Sequence, residues 1–500
     1  MKYLSSARSS LLVLSGTLAA RAVACGSAGS SSDVASSTDD PGATTPGVAP
    51  AAPSPTSPAG PSADPTEDAG ADAAAASRAK CGAPAYNWLP GATMGNVLES
   101  LAKAPHTPLE LNYAILQAKN DGAFKTRRLA KHGTKSRLMR YQTQDRGKAL
   151  DATMLMAYPD DSDAKTYPIL LVLHGTAGFT DSCAPSGGVA EDSLGGFSNG
   201  TSLLLSLFAS FGYIVVAPDY IGLKSLGAPT GFLHPYLVAE PTAIASLDAV
   251  RAAKKQLAGS NITPGDVVVV GGSQGGHGAA FVNRFLPHYA PELVIKGSVW
   301  DVPPTDILGQ AKPALTAWKN ATKNLIALTT TYESWYGTAT TGGLASAFLP
   351  PYDTSIPAAL ATSCSPSSAF TNATRETLFT SSFLTSGQQP GFGGLAPWAC
   401  YLSENSLPTT SIPKQDSIPS LFLIGENDEL VDNVVERASF QKLCTQGHVL
   451  SFLECAGASH TKPLSYALDQ WLDFLEDRLG SKPLGGTCVL TPAETCTSTP

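Results

Sequence analysis

The stretch "DVVVVGGSQGGHGAAF", Asp266 to Phe281, decides the fold. Its four valines have the length and β-branched content of a strand buried on both faces. The run leads straight into Gly271-Gly272-Ser273-Gln274-Gly275, a G-x-S-x-G sequence, and "QGGHGAAFVNRF" then reads as a helix. A serine at the tip of a sharp strand-to-helix turn holds its oxygen in the open, and that exposure is what a nucleophile needs. Such a turn brings helix and strand backbones close together, so Gly271 and Gly275 remove side chains that would collide. The helix N-terminus aims backbone N–H groups at the point where negative charge develops. The plainer reading of the same residues is a glycine-rich packing turn around an ordinary serine.

Working outward, short apolar runs alternate with amphipathic helices. Tyr167–Gly175 ("YPILLVLHG"), Gly212–Gly222 ("GYIVVAPDYIG"), Pro291–Asp301 and Ile418–Asp428 read as further strands. Glu240–Gly259 and Lys462–Gly480 read as helices, with Ile244, Leu247 and Val250 on one face of the first and Leu464, Leu468, Trp471 and Leu475 on one face of the second. Continuous apolar strands alternating with helices imply an α/β fold, a mostly parallel central sheet flanked by helices. The alternation breaks between about 303 and 417, too long for a loop, and this segment reads as an inserted cap or lid. Its aromatics Trp318, Tyr332, Trp335, Tyr336 and Phe348 would form either an acyl pocket or the cap's own core.

A serine hydroxyl needs a base, and the base needs an orienting acid; in this setting the chain order is Ser, then Asp or Glu, then His. After Ser273 come His277, His288, His448 and His460. His277 and His288 belong to the helix that follows the serine, and His448 adjoins a strand-like run. His460 lies in the small-residue loop "CAGASHTKPL" and is the candidate base. "LFLIGENDELVD" offers Glu426, Asp428, Glu429 and Asp432; Asp428, three residues past the strand-ending Gly425, is the candidate acid, with Asp432 its rival. The candidate oxyanion donors are the N–H groups of Gln274 and, in the loop after "ILLVLHG", of Thr176.

In their order along the chain, "LHGTAGFTDSCAPS", "GYIVVAPDYIGL", "HPYLVAE", "GGSQGGH", "IGENDELV" and "GASH" resemble the secretory lipase family of α/β-hydrolases over roughly residues 81 to 480. The resemblance implies an α/β-hydrolase core, a cap before the strand that carries the acid, and hydrolysis of carboxylic esters without a cofactor. It also implies Ser273, Asp428 and His460 as a triad, with oxyanion donors at Gln274 and near Thr176. The family often has Tyr or His before the nucleophile, where this chain has Gly272.

The first 25 residues have Lys2 and Arg8, an apolar core near Leu11–Ala20, and small residues up to Cys25. This is a signal-peptide pattern, and "AVAC" also resembles a lipoprotein cleavage site that would tether the protein to a membrane through lipidated Cys25. Residues 26–79, almost all Ala, Ser, Pro, Thr, Gly and Asp, lack the apolar content for a core and read as a disordered linker before a hydrolase domain at 80–500. With Cys25 set aside, eight cysteines remain, enough for four disulfides in an oxidising compartment. Their 105 connectivities are not distinguishable from sequence; short loops favour Cys444–Cys455 and Cys488–Cys496. No Cys or His cluster has zinc spacing, so no metal is expected. The net charge of −8 and the lack of a basic stripe argue against nucleic acid as a partner. The cationic run "KTRRLAKHGTKSRLMR", within the region from Gly91 to Leu150, reads as a solvated face or an arm over the sheet.

The resulting expectation is an exported serine hydrolase of carboxylic esters, a lipase or an esterase, secreted or held at the cell surface. Two readings stand beside it: a serine peptidase of the same superfamily, and a non-catalytic surface binding protein on a hydrolase scaffold.

Overall fold

The computed structural model describes residues 81–187, 202–337, 342–365 and 369–500. The signal, the Cys25 site and the linker expected at 1–79 lie outside the described residues. Among the described residues nine strands form one sheet: β1 (Val97–Ala102), β2 (Thr134–Asp145), β3 (Lys148–Pro159), β4 (Lys165–Leu173), β5 (Ile214–Pro218), β6 (Ile262–Gly272), β7 (Ile295–Asp301), β8 (Ser420–Gly425) and β9 (Leu450–Cys455). Their order is β1-β2-β3-β5-β4-β6-β7-β8-β9. From β5 to β9 every pairing is parallel, and β1, β2 and β3 extend the sheet antiparallel from β5.

The helices are α1 (Pro108–Asn120), α2 (Ser202–Ser210), α3 (Ala239–Leu257), α4 (Gln274–Tyr289), α5 (Ile307–Thr316), α6 (Asn320–Tyr336), α7 (Tyr352–Leu360), α8 (Arg375–Leu378), α9 (Ser381–Gly387), α10 (Trp398–Glu404), α11 (Asn433–Thr445), α12 (Pro463–Tyr466) and α13 (Leu468–Leu479). Strand β6 shows how the sheet acquires two covers. Its side chains alternate between faces, so Val267 and Val269 pack with Ile244 and Leu247 of α3, Phe281 of α4 and Phe440 of α11. Val268 and Val270 pack on the other side with Ile115 of α1, Leu204 of α2 and Trp471 of α13. Both faces are buried, which is why the strand reads as an unbroken apolar run. Among the described residues six α-helices, α5 to α10, lie between β7 and β8, and their side chains form a third apolar cluster with Phe179, Tyr236 and Leu237.

Three sequence expectations change. Much of the region from Gly91 to Leu150 is not an arm: it supplies α1, β1, β2 and the start of β3. In β2, "TKSRLMRYQTQD", buried residues such as Leu138, Met139 and Tyr141 are interspersed with exposed or half-buried ones, so the run is polar enough to pass for a surface segment. Its upstream cations are paired: Arg127 and Arg128 meet Asp473, and Arg128 also meets Glu476, both acids on α13. The helix expected over Lys462–Gly480 is divided at Ala467 into α12 and α13.

The disulfides are Cys81–Cys400, Cys183–Cys364, Cys444–Cys488 and Cys455–Cys496. The pairings Cys444–Cys455 and Cys488–Cys496 do not form. Cys444 lies in α11, before β9, and Cys455 is the last residue of that strand. The length of β9, about 17 Å, lies between Cys455 and the turn that follows Cys444. Each cysteine instead takes a partner from the C-terminal tail, which follows β9: Glu494 N donates to Glu454 O at 2.9 Å and Ala456 N to Glu494 O at 2.8 Å.

Candidate functional site

Ser273 stands between the end of β6 and the start of α4 with φ 55° and ψ −117°. A non-glycine residue held at positive φ is a strained turn, and the neighbouring glycines show what maintains it. A Cβ on Gly271 would lie 2.0 Å from Gly275 O, and one on Gly275 would lie 2.0 Å from Leu173 O. No side chain fits at either position. Ser273 N donates to Asp301 O at 2.9 Å, which fixes the turn to the end of β7.

His460 Nε2 lies 2.9 Å from Ser273 Oγ, and His460 Nδ1 lies 2.8 and 3.0 Å from the two oxygens of Asp428. The structure thus brings together the three residues singled out in the sequence, from three separate loops. Side chains of Asp428 and His460 are 1% and 6% exposed, so their contact is shielded from water. A carboxylate at Nδ1 places a proton there and leaves Nε2 free to accept one from the serine. Asp428 Oδ1 also accepts Leu430 N at 2.9 Å and Val431 N at 2.8 Å, which orients the carboxylate.

The other acids of this loop have separate tasks. Asp432 caps α11, accepting Val434 N and Val435 N at 3.0 and 3.3 Å. Glu429 accepts His460 N at 3.1 Å, and Glu426 accepts Gly457 N at 2.8 Å. These carboxylates tether the histidine loop to the acid loop. The remaining histidines are engaged elsewhere: His277 with Asn405 O, His288 with Pro413 O and His448 with Arg284. Burial pushes the His277 imidazole down to about 4 and that of His448 down to about 3, so both are neutral structural groups.

Gln274 is the first residue of α4, so its N–H has no acceptor within the helix. Its side-chain Nε2 donates to His234 Nε2 at 2.6 Å. Thr176 Oγ1 lies 3.0 Å from Tyr236 Oη. Asp301 was not singled out in the sequence. Its side chain is buried, and Oδ1 has no hydrogen-bond partner among the described residues. Burial, and secondly the charge of Asp428, hold its carboxyl far above the usual carboxylate range. A Cβ on Gly272 would lie 3.1 Å from Asp301 Oδ2, which gives a physical reason for glycine before the serine. Nothing in the sequence around Asp301 distinguishes it from any strand-ending acid, so only the structure reveals it.

A narrow, mostly apolar pocket of about 60 Å³ opens beside Ser273, lined by Ile307, Ala311, Ala314, Leu325 and Leu328 from α5 and α6. The aromatics Trp318, Tyr332, Trp335, Tyr336 and Phe348 do not line it. Tyr332, Trp335, Tyr336 and Phe348 are buried in the core of the helical segment, and Trp318 packs edge-on against Phe370. Among the described residues no group of three or more His, Cys, Asp or Glu side chains could hold a metal ion.

The secretory lipase family model matches residues 198–315, a segment that contains Ser273 but neither Asp428 nor His460. The structure is similar to the rice cell wall degrading esterase LipA from Xanthomonas oryzae, with TM-score 0.61 and 19% identity over 78% of this chain and 99% of that one. It is also similar to Candida antarctica lipase A, with TM-score 0.59 and 15% identity over 80% of this chain and 86% of that one. No curated protein matches the chain in sequence. These comparisons bear out the resemblance read from the motifs, and the fold is that of the α/β-hydrolases.

Proposed function

We propose that the protein is an exported serine hydrolase that cleaves carboxylic esters through an acyl-enzyme. The observation that carries this reading is the chain of contacts from Ser273 through His460 to Asp428 on a strained strand-to-helix turn. Ser273 Oγ attacks the ester carbonyl while His460 Nε2 takes its proton. Asp428 holds the imidazole tautomer and stabilises the imidazolium. The N–H groups of Gln274 and Thr176 receive the negative oxygen of the tetrahedral intermediate. His460 then returns the proton to the departing alcohol. Water, activated by the same imidazole, attacks the acyl carbonyl and frees Ser273. The apolar cavity beside Ser273 suits the acyl chain. The secretory lipase match and the esterase and lipase neighbours support an ester as the substrate.

Four disulfides fit an oxidising compartment. With the signal pattern they support export, and the proposal extends to a membrane tether through lipidated Cys25, with residues 26–79 as the reach of the tether.

The test is hydrolysis of p-nitrophenyl esters from acetyl to palmitoyl by residues 80–500, as wild type and as Ser273→Ala. Loss of about 10⁴-fold or more in kcat for the variant is expected. A correctly folded wild type that hydrolyses no ester in the series would overturn the reading.

A further inference from the structure

His234-Pro235-Tyr236 lies between β5 and α3, and both of its ring side chains are buried. His234 Nδ1 donates to Ile221 O at 2.8 Å, because a carbonyl can only accept. With the proton on Nδ1, Nε2 presents a lone pair, and it receives Gln274 Nε2 at 2.6 Å. Burial pushes this imidazole down to about 3, so it stays a neutral acceptor. Two residues further on, Tyr236 Oη meets Thr176 Oγ1 at 3.0 Å.

The segment is itself held rigidly. His234 N donates to Phe179 O at 2.8 Å, the Tyr236 ring meets Phe179 edge-on, and the His234 ring stacks with Tyr220. A Cβ on Gly222 would lie 2.5 Å from His234 Cα, so the backbone has no room to shift toward that loop.

Gln274 and Thr176 come from different parts of the sheet, one after β6 and one after β4. A tetrahedral oxyanion needs two N–H donors at a fixed spacing, about 2.7–3.1 Å from one point. We propose that His234 and Tyr236 are positioning residues that lock Gln274 and Thr176, through their side chains, at the spacing the oxyanion requires. The proposal rests on the ester-hydrolase reading. One three-residue segment contacts the side chains of both residues, so the two loops that carry the donors are tied to a single rigid piece.

The experiment uses the full chain with Tyr236→Phe, His234→Phe, His234→Gln and Thr176→Val, assayed on p-nitrophenyl butyrate and against a trifluoromethyl ketone, whose adduct with Ser273 carries an oxyanion. Tyr236→Phe and His234→Phe are expected to lower kcat roughly tenfold to a hundredfold with KM within about twofold, and to weaken the ketone by a similar factor. His234→Gln, which supplies an amide oxygen as acceptor, recovers most of the loss. Thr176→Val matches Tyr236→Phe, and the double variant is no worse than either alone, since both remove one contact. Thr176→Val also keeps the test open should a ring variant fail to fold. Unchanged kcat and ketone affinity in the folded variants overturns the proposal. So does a loss explained wholly by less folded protein, with ketone affinity of the folded fraction unchanged. A folded wild type that neither hydrolyses the ester nor binds the ketone overturns the ester-hydrolase reading, and the positioning role with it. An active wild type with indifferent variants overturns the positioning role alone.

Discussion

Asp301 touches the serine turn twice: its main-chain oxygen accepts Ser273 N, and its carboxyl Oδ2 lies 3.1 Å from where a Cβ on Gly272 would stand. A Cβ at Gly272 would therefore press on the neighbouring strand, and the carboxyl would have to shift by a few tenths of an ångström. Gly272→Ala should cost about 1 kcal/mol of stability, the low end of the range for overpacking. Combined with Asp301→Ala, which opens that space, the further cost of Gly272→Ala should shrink. Denaturant unfolding of the wild type, both singles and the double variant gives the coupling, and strictly additive losses would sink the account.

The four acids after β8 make a sharp comparison. Asp428→Asn should lower kcat by about 10⁴-fold, because the imidazole loses its fixed tautomer and its counter-charge. Asp432→Ala should leave kcat nearly intact and cost about 1 kcal/mol of stability, the value of a helix cap. Steady-state kinetics beside thermal melts separates the two, and a reversal of the pattern would reassign the acid.

Ala311 and Ala314 leave the cavity open where a larger residue would fill it. Ala311→Phe should shorten the preferred acyl chain, lowering kcat/KM on octanoyl esters at least about tenfold while acetyl esters change little. An equal loss across the series would mean that the acyl chain lies elsewhere.

Glu436 is buried where α11 meets the start of the helical segment; it accepts Thr305 N at 3.1 Å and Gln310 Nε2 at 3.0 Å, with Asp306 close by. Burial pushes its carboxyl from 4.5 up to about 8, against the pull of these donors. Between those values the unfolded chain has released a proton that the native state keeps, so stability falls as pH rises from about 4.5 to about 8. Glu436→Gln removes that dependence. The variant should match the wild type at pH 4.5 and exceed it by at least about 1 kcal/mol at pH 9. Chemical denaturation at the two pH values is the check; a gap that does not widen toward pH 9 counts against it.

Cys455 closes β9 just before the loop that carries His460, and its bond to Cys496 spans 41 residues. Replacing both with serine should cost about 4 kcal/mol by loop entropy. Activity should be lost on heating before the rest of the fold melts, because the tail that covers β9 also steadies the histidine loop. Coincident loss of activity and of near-ultraviolet dichroism would show that the effect is global.

The strands legible in the sequence are β4 to β8 and the strand-like run of β9, all covered on both faces, because double burial favours an apolar run such as "ILLVL" or "VVVV". Strand β2 escaped because its polar positions broke the pattern that marks a buried strand, and β3 escaped, although Met154 to Ala157 pack on both faces, because its first four residues, "KALD", are exposed or half-buried. Ser273, Asp428 and His460 were legible because each sits in a glycine- or small-residue turn that follows a strand. Asp301 and Glu436 were not, since a buried carboxyl looks the same as an exposed one until its surroundings are known. His234 and Tyr236 stood in a recognisable run, "HPYLVAE", but their contacts with Gln274 and Thr176 join residues 40 and 60 positions apart. No local period reports contacts at that range.

The two longest bridges are nested: Cys81–Cys400 spans 319 residues and encloses Cys183–Cys364, which spans 181. A chain that emerges in order at about 5–20 residues per second presents Cys400 roughly 15–65 s after Cys81, long after Cys183 has appeared. Oxidation in order of arrival would join Cys81 to Cys183 and leave the loop after β4 tied to the start of the described fold. Reaching the native set therefore requires that Cys81 stay reduced until most of the chain is out, or that a thiol exchange correct the first bond. The nesting therefore makes the order in which these bonds form, as well as the stability of the finished fold, a determinant of whether the native set is reached.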